Sequence, residues 1–190
     1  MTDVLAEKTA LRRDLRARRK ALPQDQRAAE AAATCRTLTP LLDGATALAS
    51  YLALPEELDL AELHRRSWSQ GRPVWLPRVV GQDLTWHPVT DPAHCPPGAY
   101  GIREPDPTRV PAAPLPPEAL LLVPGVGFDS QGGRLGMGKG FYDRLLAPRR
   151  AWAIGVGFAC QEVPRIPREG HDILLARLVL GGRLVTVAAD

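Results

Sequence analysis

No apolar run in this chain approaches the roughly 18 residues of a membrane-spanning helix, and the charged N-terminus has no apolar stretch behind it. Cysteine is scarce. Cys35, Cys95 and Cys160 lie far apart with no C-x-x-C pair, so a zinc ribbon is excluded, and the odd count suits a reducing compartment better than a disulfide scaffold. Aromatic residues are only 5% of the chain and none interleaves with its basic N-terminal run, which removes the stacking platforms that single-stranded RNA needs. A net charge of +3 is too mild for a dedicated nucleic-acid binder but suits an anionic small molecule. There is no Ser-His-Asp or Cys-His array, no internal repeat and no convincing linker. The expectation is a cytoplasmic protein, a monomer with one domain over residues 1–190, acting on small molecules with neither nucleic-acid nor membrane partners.

What is present begins with helix signals. Residues 3–21 read as a helix from a Thr2/Asp3 cap to a stop before Pro23, and an alanine-rich helix is expected from Asp25 to Leu38, ended by Pro40. Residues 46–54 read as a buried strand. A helix capped by Asp59 follows to Gln70, with Gly71 as its stop. Short strands are expected at 73–76, 84–89, 152–158, 174–180 and 183–188. Nine prolines between residues 91 and 117 predict an extended, irregular connection. Helices alternating with strands place the chain in the α/β class.

The most informative segment follows Leu121-Leu122-Val123. Seven glycines fall between Gly125 and Gly140, and the run closes on Lys139, Tyr142, Asp143 and Arg144. Such glycine density is poor helix and poor strand, but it permits positive φ and close approach to a ligand. A strand, a glycine loop with two cations and a short helix together predict a phosphate cradle. Residues 133–140 satisfy G-x-x-x-x-G-K, yet Gly140 stands where a P-loop needs Ser or Thr for magnesium, and G-x-G-x-x-G is not matched either. The reading is a nucleotide loop of another kind, with Lys139 and Arg134 meeting phosphate oxygens and Asp143 available to a metal.

The first helix carries Lys8, Arg12, Arg13, Arg16, Arg18, Arg19 and Lys20. At 100° per residue, Val4, Leu11, Leu15 and Leu22 form one stripe. Lys8, Arg12 and Arg19 flank it, whereas Arg13 and Lys20 point away; Lys8 and Arg12 are therefore the candidate phosphate ligands. Glu57, just past strand 46–54, lies where α/β folds bind ligands. Glu104 is a second acidic loop site, and Asp172 is by spacing alone no better than a cap.

Six segments, K-T-A-L-R (8–12), L-A-L-P-E-E-L-D (52–59), Y-G-I-R-E-P (100–105), L-L-V-P-G-V-G-F-D (121–129), G-R-L-G-M-G-K-G-F-Y-D-R (133–144) and H-D (171–172), together resemble the 5-formyltetrahydrofolate cyclo-ligase family, in the family's order and over nearly the whole chain. The resemblance implies a three-layer α/β/α domain with a mostly parallel central sheet. It implies that ATP, with Mg²⁺, phosphorylates the formyl oxygen of 5-formyltetrahydrofolate and that attack by N10 then gives 5,10-methenyltetrahydrofolate. Lys8, Arg12 and the loop Arg134, Leu135, Gly136, Met137, Gly138, Lys139, Gly140, Phe141 and Tyr142 would bind ATP, with Arg134, Lys139 and Tyr142 catalytic. Residues Met137 to Phe141, with Leu52 and Glu57, would contact the folate, and Asp143 and Asp172 the magnesium. The chain departs from the family pattern at Met137 and Phe141, often an aromatic residue and Tyr, and at Ala176, commonly an acid. Two other readings stay open: an ATP-dependent ligase of this fold acting on a different pterin or formamide-like substrate, and a non-catalytic relative that binds nucleotide or RNA.

Overall fold

The computed structural model describes residues 4–97, 103–146, 152–170 and 172–187. The expected cap at Thr2 and Asp3, the segment Tyr100–Ile102 and His171 lie outside them.

Three helices build the N-terminal third. Helix α1 (Val4–Ala21) buries Leu15, with Lys8 and Arg19 buried beside it and Arg13 and Lys20 in solvent, as the stripe predicts. Helix α2 (Gln24–Asp43) contains Pro40 rather than stopping before it. Proline has no N–H to offer the Arg36 carbonyl, but Arg36 and Pro40 are both exposed, so water can serve the freed oxygen and the helix continues. Helix α3 (Ala61–Ser69) starts where Asp59 accepts the Ala61 N–H at 2.9 Å. It ends at Gly71, whose φ of +70° lets Gly71 N–H reach Trp68 O (2.9 Å) and Arg72 N–H reach Ser67 O (3.0 Å).

Ten strands are described: β1 (Leu48–Ala49), β2 (Val74–Val80), β3 (Asp83–Val89), β4 (Leu120–Pro124), β5 (Gly127–Asp129), β6 (Arg134–Leu135), β7 (Ala153–Gly157), β8 (Glu162–Val163), β9 (Arg177–Leu180) and β10 (Arg183–Thr186). Seven form one sheet in the order β10-β9-β7-β4-β1-β2-β3, parallel from β2 through β9 with an antiparallel hairpin at each edge. Alternate residues of β4 and β7 face opposite layers. Leu120, Leu122, Ile154 and Val156 pack with Cys35, Leu38, Leu42 and Leu63 from α2 and α3, while Leu121, Val123 and Ala153 pack with Phe128, Leu175 and Leu146. Leu146 ends the short helix α4 (Phe141–Leu146), which gives the second face a thinner cover. The result is an α/β fold with a mostly parallel sheet between two layers. No described helix is long and apolar enough to cross a membrane.

One strand expectation and one loop expectation are corrected. The strand expected at 46–54 holds a ladder only at Leu48–Ala49, extended by Ser50 N–H to Trp75 O at 2.9 Å. Tyr51 is buried by packing and by its hydroxyl bond to Leu58 O (2.9 Å), so apolar character there reflects burial rather than pairing. The glycine segment is also not one loop: β5 and β6 fold it into a small sheet, β6-β5-β8, against which α1 packs Leu15 on Val126, Leu135, Val163 and Ile166.

Candidate active site

Strands β1 and β4 are adjacent and parallel, and the chain leaves them in opposite directions, toward β2-β3 on one side and β7-β9-β10 on the other. Ligands in open α/β sheets bind at such a switch point, beyond the carboxyl ends of the strands. A cleft of about 270 Å³ lies there, and its walls come from α1, the turn after β1, the end of β4 and the segment from β6 into α4.

The structure brings most of the expected site residues to this cleft. Lys8, Arg12, Glu57, every residue from Arg134 through Asp143, and Asp172 line it. Leu52 does not: it lines an adjoining recess with His64, Trp68 and Arg103, and Leu54 is the residue shared by both. Glu104 is elsewhere, 3.5 Å from Arg78.

The cations differ in how they are held. Lys8 is buried and its Nζ donates to Asp172 (2.7 Å) and Glu169 (2.9 Å). Burial alone would lower its pKa, but the two carboxylates outweigh that and raise it, so the ammonium is firmly charged. Arg12 donates from Nε to the Gly136 carbonyl at 2.9 Å, which ties α1 to the loop, and it has no carboxylate partner among the described residues. Arg134 has a nearly buried guanidinium, paired with Asp143 Oδ1 at 2.7 Å and lying over the Tyr142 ring. Its Nε has no hydrogen-bond partner among the described residues. Lys139 is exposed and makes no ion pair among them. Burial, then proximity to Glu57, pushes the Tyr142 hydroxyl upward against the pull of Arg134, so it is a neutral donor at neutral pH.

Several of the seven glycines serve the fold. A Cβ at Gly125 would come within 2.6 Å of the Phe128 ring, and one at Gly155 or Gly157 of β7, both outside the seven, within 2.7 and 3.0 Å of it. At Gly127 it would strike Leu15 of α1 at 2.3 Å, and at Gly132 the Leu175 carbonyl oxygen at 2.1 Å. Gly138 (φ +92°) and Gly140 (φ +69°) are the cleft residues with left-handed backbone. Sequence density therefore overstated the ligand-facing share of this segment.

Two polar residues that organise the site gave little signal in the sequence. Asp129 is fully buried and accepts from Gln131 N (2.9 Å), Gly133 N (2.8 Å), Ile166 N (2.8 Å) and Arg168 Nη2 (2.9 Å). It sets the turn between β5 and β6. Glu169 holds Lys8, and its own N–H donates to Asp172 at 2.8 Å. The signal available for Asp129 is its place between a strand and a glycine turn; Glu169 has no local signal.

No group of three or more His, Cys, Asp or Glu poised for a metal exists among the described residues. Asp143 and Asp172 each reach the cleft already paired with a cation. That donor set fits Mg²⁺, which is held by one or two carboxylates together with substrate phosphates, and does not fit an all-protein cage.

Known proteins resemble this chain in sequence and in fold. The profile of the 5-formyltetrahydrofolate cyclo-ligase family matches residues 4–181. The 5-formyltetrahydrofolate cyclo-ligase of Escherichia coli (strain K12) is 33% identical over 176 residues, covering 87% of this chain and 95% of that protein. The Haemophilus influenzae protein of the same name is 32% identical over 182 residues, covering 89% and 93%. Among solved structures, Aquifex aeolicus 5,10-methenyltetrahydrofolate synthetase superposes with a TM-score of 0.82 at 30% identity, over 96% of this chain and 94% of its own. With the family's profile spanning nearly its whole length, this chain belongs to the 5-formyltetrahydrofolate cyclo-ligase family.

Proposed function

We propose that this protein closes 5-formyltetrahydrofolate to 5,10-methenyltetrahydrofolate with ATP as phosphoryl donor, releasing ADP and phosphate. The observation that carries this reading is the cleft itself: four cations and two left-handed glycines surround it, and its described lining holds no nucleophile–base pair. A formyl oxygen accepting a phosphoryl group needs in-line placement and charge stabilisation more than a strong base.

In this reading the phosphates lie between α1 and the segment 134–142. Arg12 and Lys139 are the cations with charge to spare, and Lys8, with three N–H donors and two committed, keeps one for a phosphate oxygen. Arg134 is fixed by Asp143 and the Tyr142 ring beside the transferring group. Asp143 and Asp172 would hold a magnesium ion with the phosphates, which supplies further charge neutralisation there. Met137, Gly138 and Phe141 border nucleotide and pterin, and Glu57 faces the folate. The remainder of the folate passes Leu54 into the recess of Leu52, an apolar channel for its benzoyl portion. In this reading the protein works as a single-domain monomer in the cytoplasm.

The test is the absorbance of the methenyl chromophore after mixing the protein with 5-formyltetrahydrofolate and Mg²⁺, with and without ATP. ATP-dependent product is expected. ATP binding without product would point to a ligase of the same fold with another substrate.

A further inference from the structure

We propose that Glu57 accepts the proton that N10 must lose during ring closure; the inference rests on the reaction proposed above. Three carboxylates among the described residues line the cleft, and two of them are committed to cations: Asp143 to Arg134 at 2.7 Å and Asp172 to Lys8 at 2.7 Å. Among the described residues Glu57 makes no ion pair; its Oε2 accepts from Leu54 N at 3.1 Å, and Glu57 N–H returns a bond to Leu54 O at 2.8 Å. This doubly closed turn, with Pro55 in it, fixes the carboxylate in the lining of the cleft with acceptor capacity unused.

The reaction has a use for that capacity. The formyl oxygen bonds to the γ-phosphorus as the bridging P–O bond to ADP breaks, leaving an N5 iminium phosphate. The N10 lone pair then bonds to the formyl carbon, and the iminium π electrons return to N5. N10 now carries both its hydrogen and a positive charge. Glu57 takes that proton and the N–H electrons restore the N10 lone pair. A ring nitrogen then expels phosphate, the C–O bond breaks, and the amidinium of the product remains; Glu57 passes its proton to water. Without proton loss the N10 adduct reverts, so a base beside N10 commits the intermediate forward.

The surroundings suit a proton acceptor. Burial raises the Glu57 carboxyl above its ordinary range, offset in part by the Leu54 N–H and by Arg19, and supported by Glu56. Arg19 of α1 finds its closest carboxylate in Glu56 at 3.6 Å. Tyr51 and Tyr142 face Glu57 as neutral hydroxyls. On its other side Arg27 of α2 and Asp59, Glu62 and Arg65 share a solvent-open recess with it, which offers the proton a way out.

The experiment compares wild type with Glu57→Gln, which keeps an acceptor oxygen for Leu54 N and so preserves the turn. Methenyl formation and ADP release are measured in parallel across pH, with urea unfolding to confirm the fold. The expected result is a kcat for methenyl product lower by ~10²-fold or more, ADP released in excess of product, and loss of the acid limb of the wild-type profile. A raised KM with one ADP per product and an unchanged acid limb would overturn the inference, leaving Glu57 as a binding residue only. Absence of product from the wild type would instead reject the reaction itself.

Discussion

Replacing Asp129 with Asn probes the site from outside it, because Asp129 does not line the cleft. The change conserves volume, so no cavity opens. An amide can keep the oxygen facing Gln131 N and Gly133 N, but its NH₂ then meets Ile166 N–H, buried and 2.8 Å away. Leaving that donor unpaired costs about 1–3 kcal/mol. Arg168 also loses its carboxylate; its side chain is 27% exposed and resolvates partly, so this adds only about 1 kcal/mol. The sum, roughly 2–4 kcal/mol, is a large part of the ~5–15 kcal/mol of a typical domain. Urea unfolding should show a lower midpoint at unchanged slope. The loss depends on pH in a stated sense. Burial alone would raise the Asp129 pKa, but the Ile166 N–H, Arg168 and the Gly133 N–H together lower it below 3.8. The stabilisation is therefore complete above that ordinary value and disappears as pH falls through the lower folded one, so wild type and variant should converge in acid. Nucleotide affinity should fall as well, since the turn that aims Arg134 is loosened. A midpoint shift worth less than ~1 kcal/mol at neutral pH would refute the assignment of Asp129 as the anchor of this turn.

Arg134→Ala should lower turnover by ~10²-fold or more, as loss of a preorganised cation at a transferring phosphate does; unchanged turnover in a steady-state assay would remove Arg134 from the chemistry. Lys8→Met should weaken ATP binding, read by nucleotide titration, and strip Glu169 and Asp172 of their cation. Because the folded Lys8 pKa lies above 10.5, its contribution is complete below that value and is lost as pH rises through the higher folded one, a decline that urea unfolding should show in wild type and not in the variant. Gly155→Ala would place a methyl 2.7 Å from Leu178 and Phe128 and 2.8 Å from Leu175, all buried, so overpacking should cost about 1–3 kcal/mol in a thermal melt.

Local pattern alone determined the alternation of helices and strands, the exposure of Arg13 and Lys20 against the burial of Lys8, and the cluster of cations around a glycine turn, because helical periodicity and glycine content are properties of contiguous residues. The length of α2 past Pro40 was not legible, since a proline is tolerated or not according to whether the carbonyl it abandons meets water. Nor was the division of labour among the glycines: Gly125, Gly155 and Gly157 all border one ring, Phe128, and sequence separation hides that ring from Gly155 and Gly157. Leu54 in the cleft and Leu52 in the neighbouring recess follow from how the turn after β1 is closed by Glu57. The pairing of Lys8 with Glu169 and Asp172 joins residues more than 160 positions apart. Such contacts carry no local signature, because a salt bridge constrains where two charges meet in space and leaves the intervening chain free to vary. Tertiary structure alone decided which cations are spent on carboxylates and which remain for a ligand.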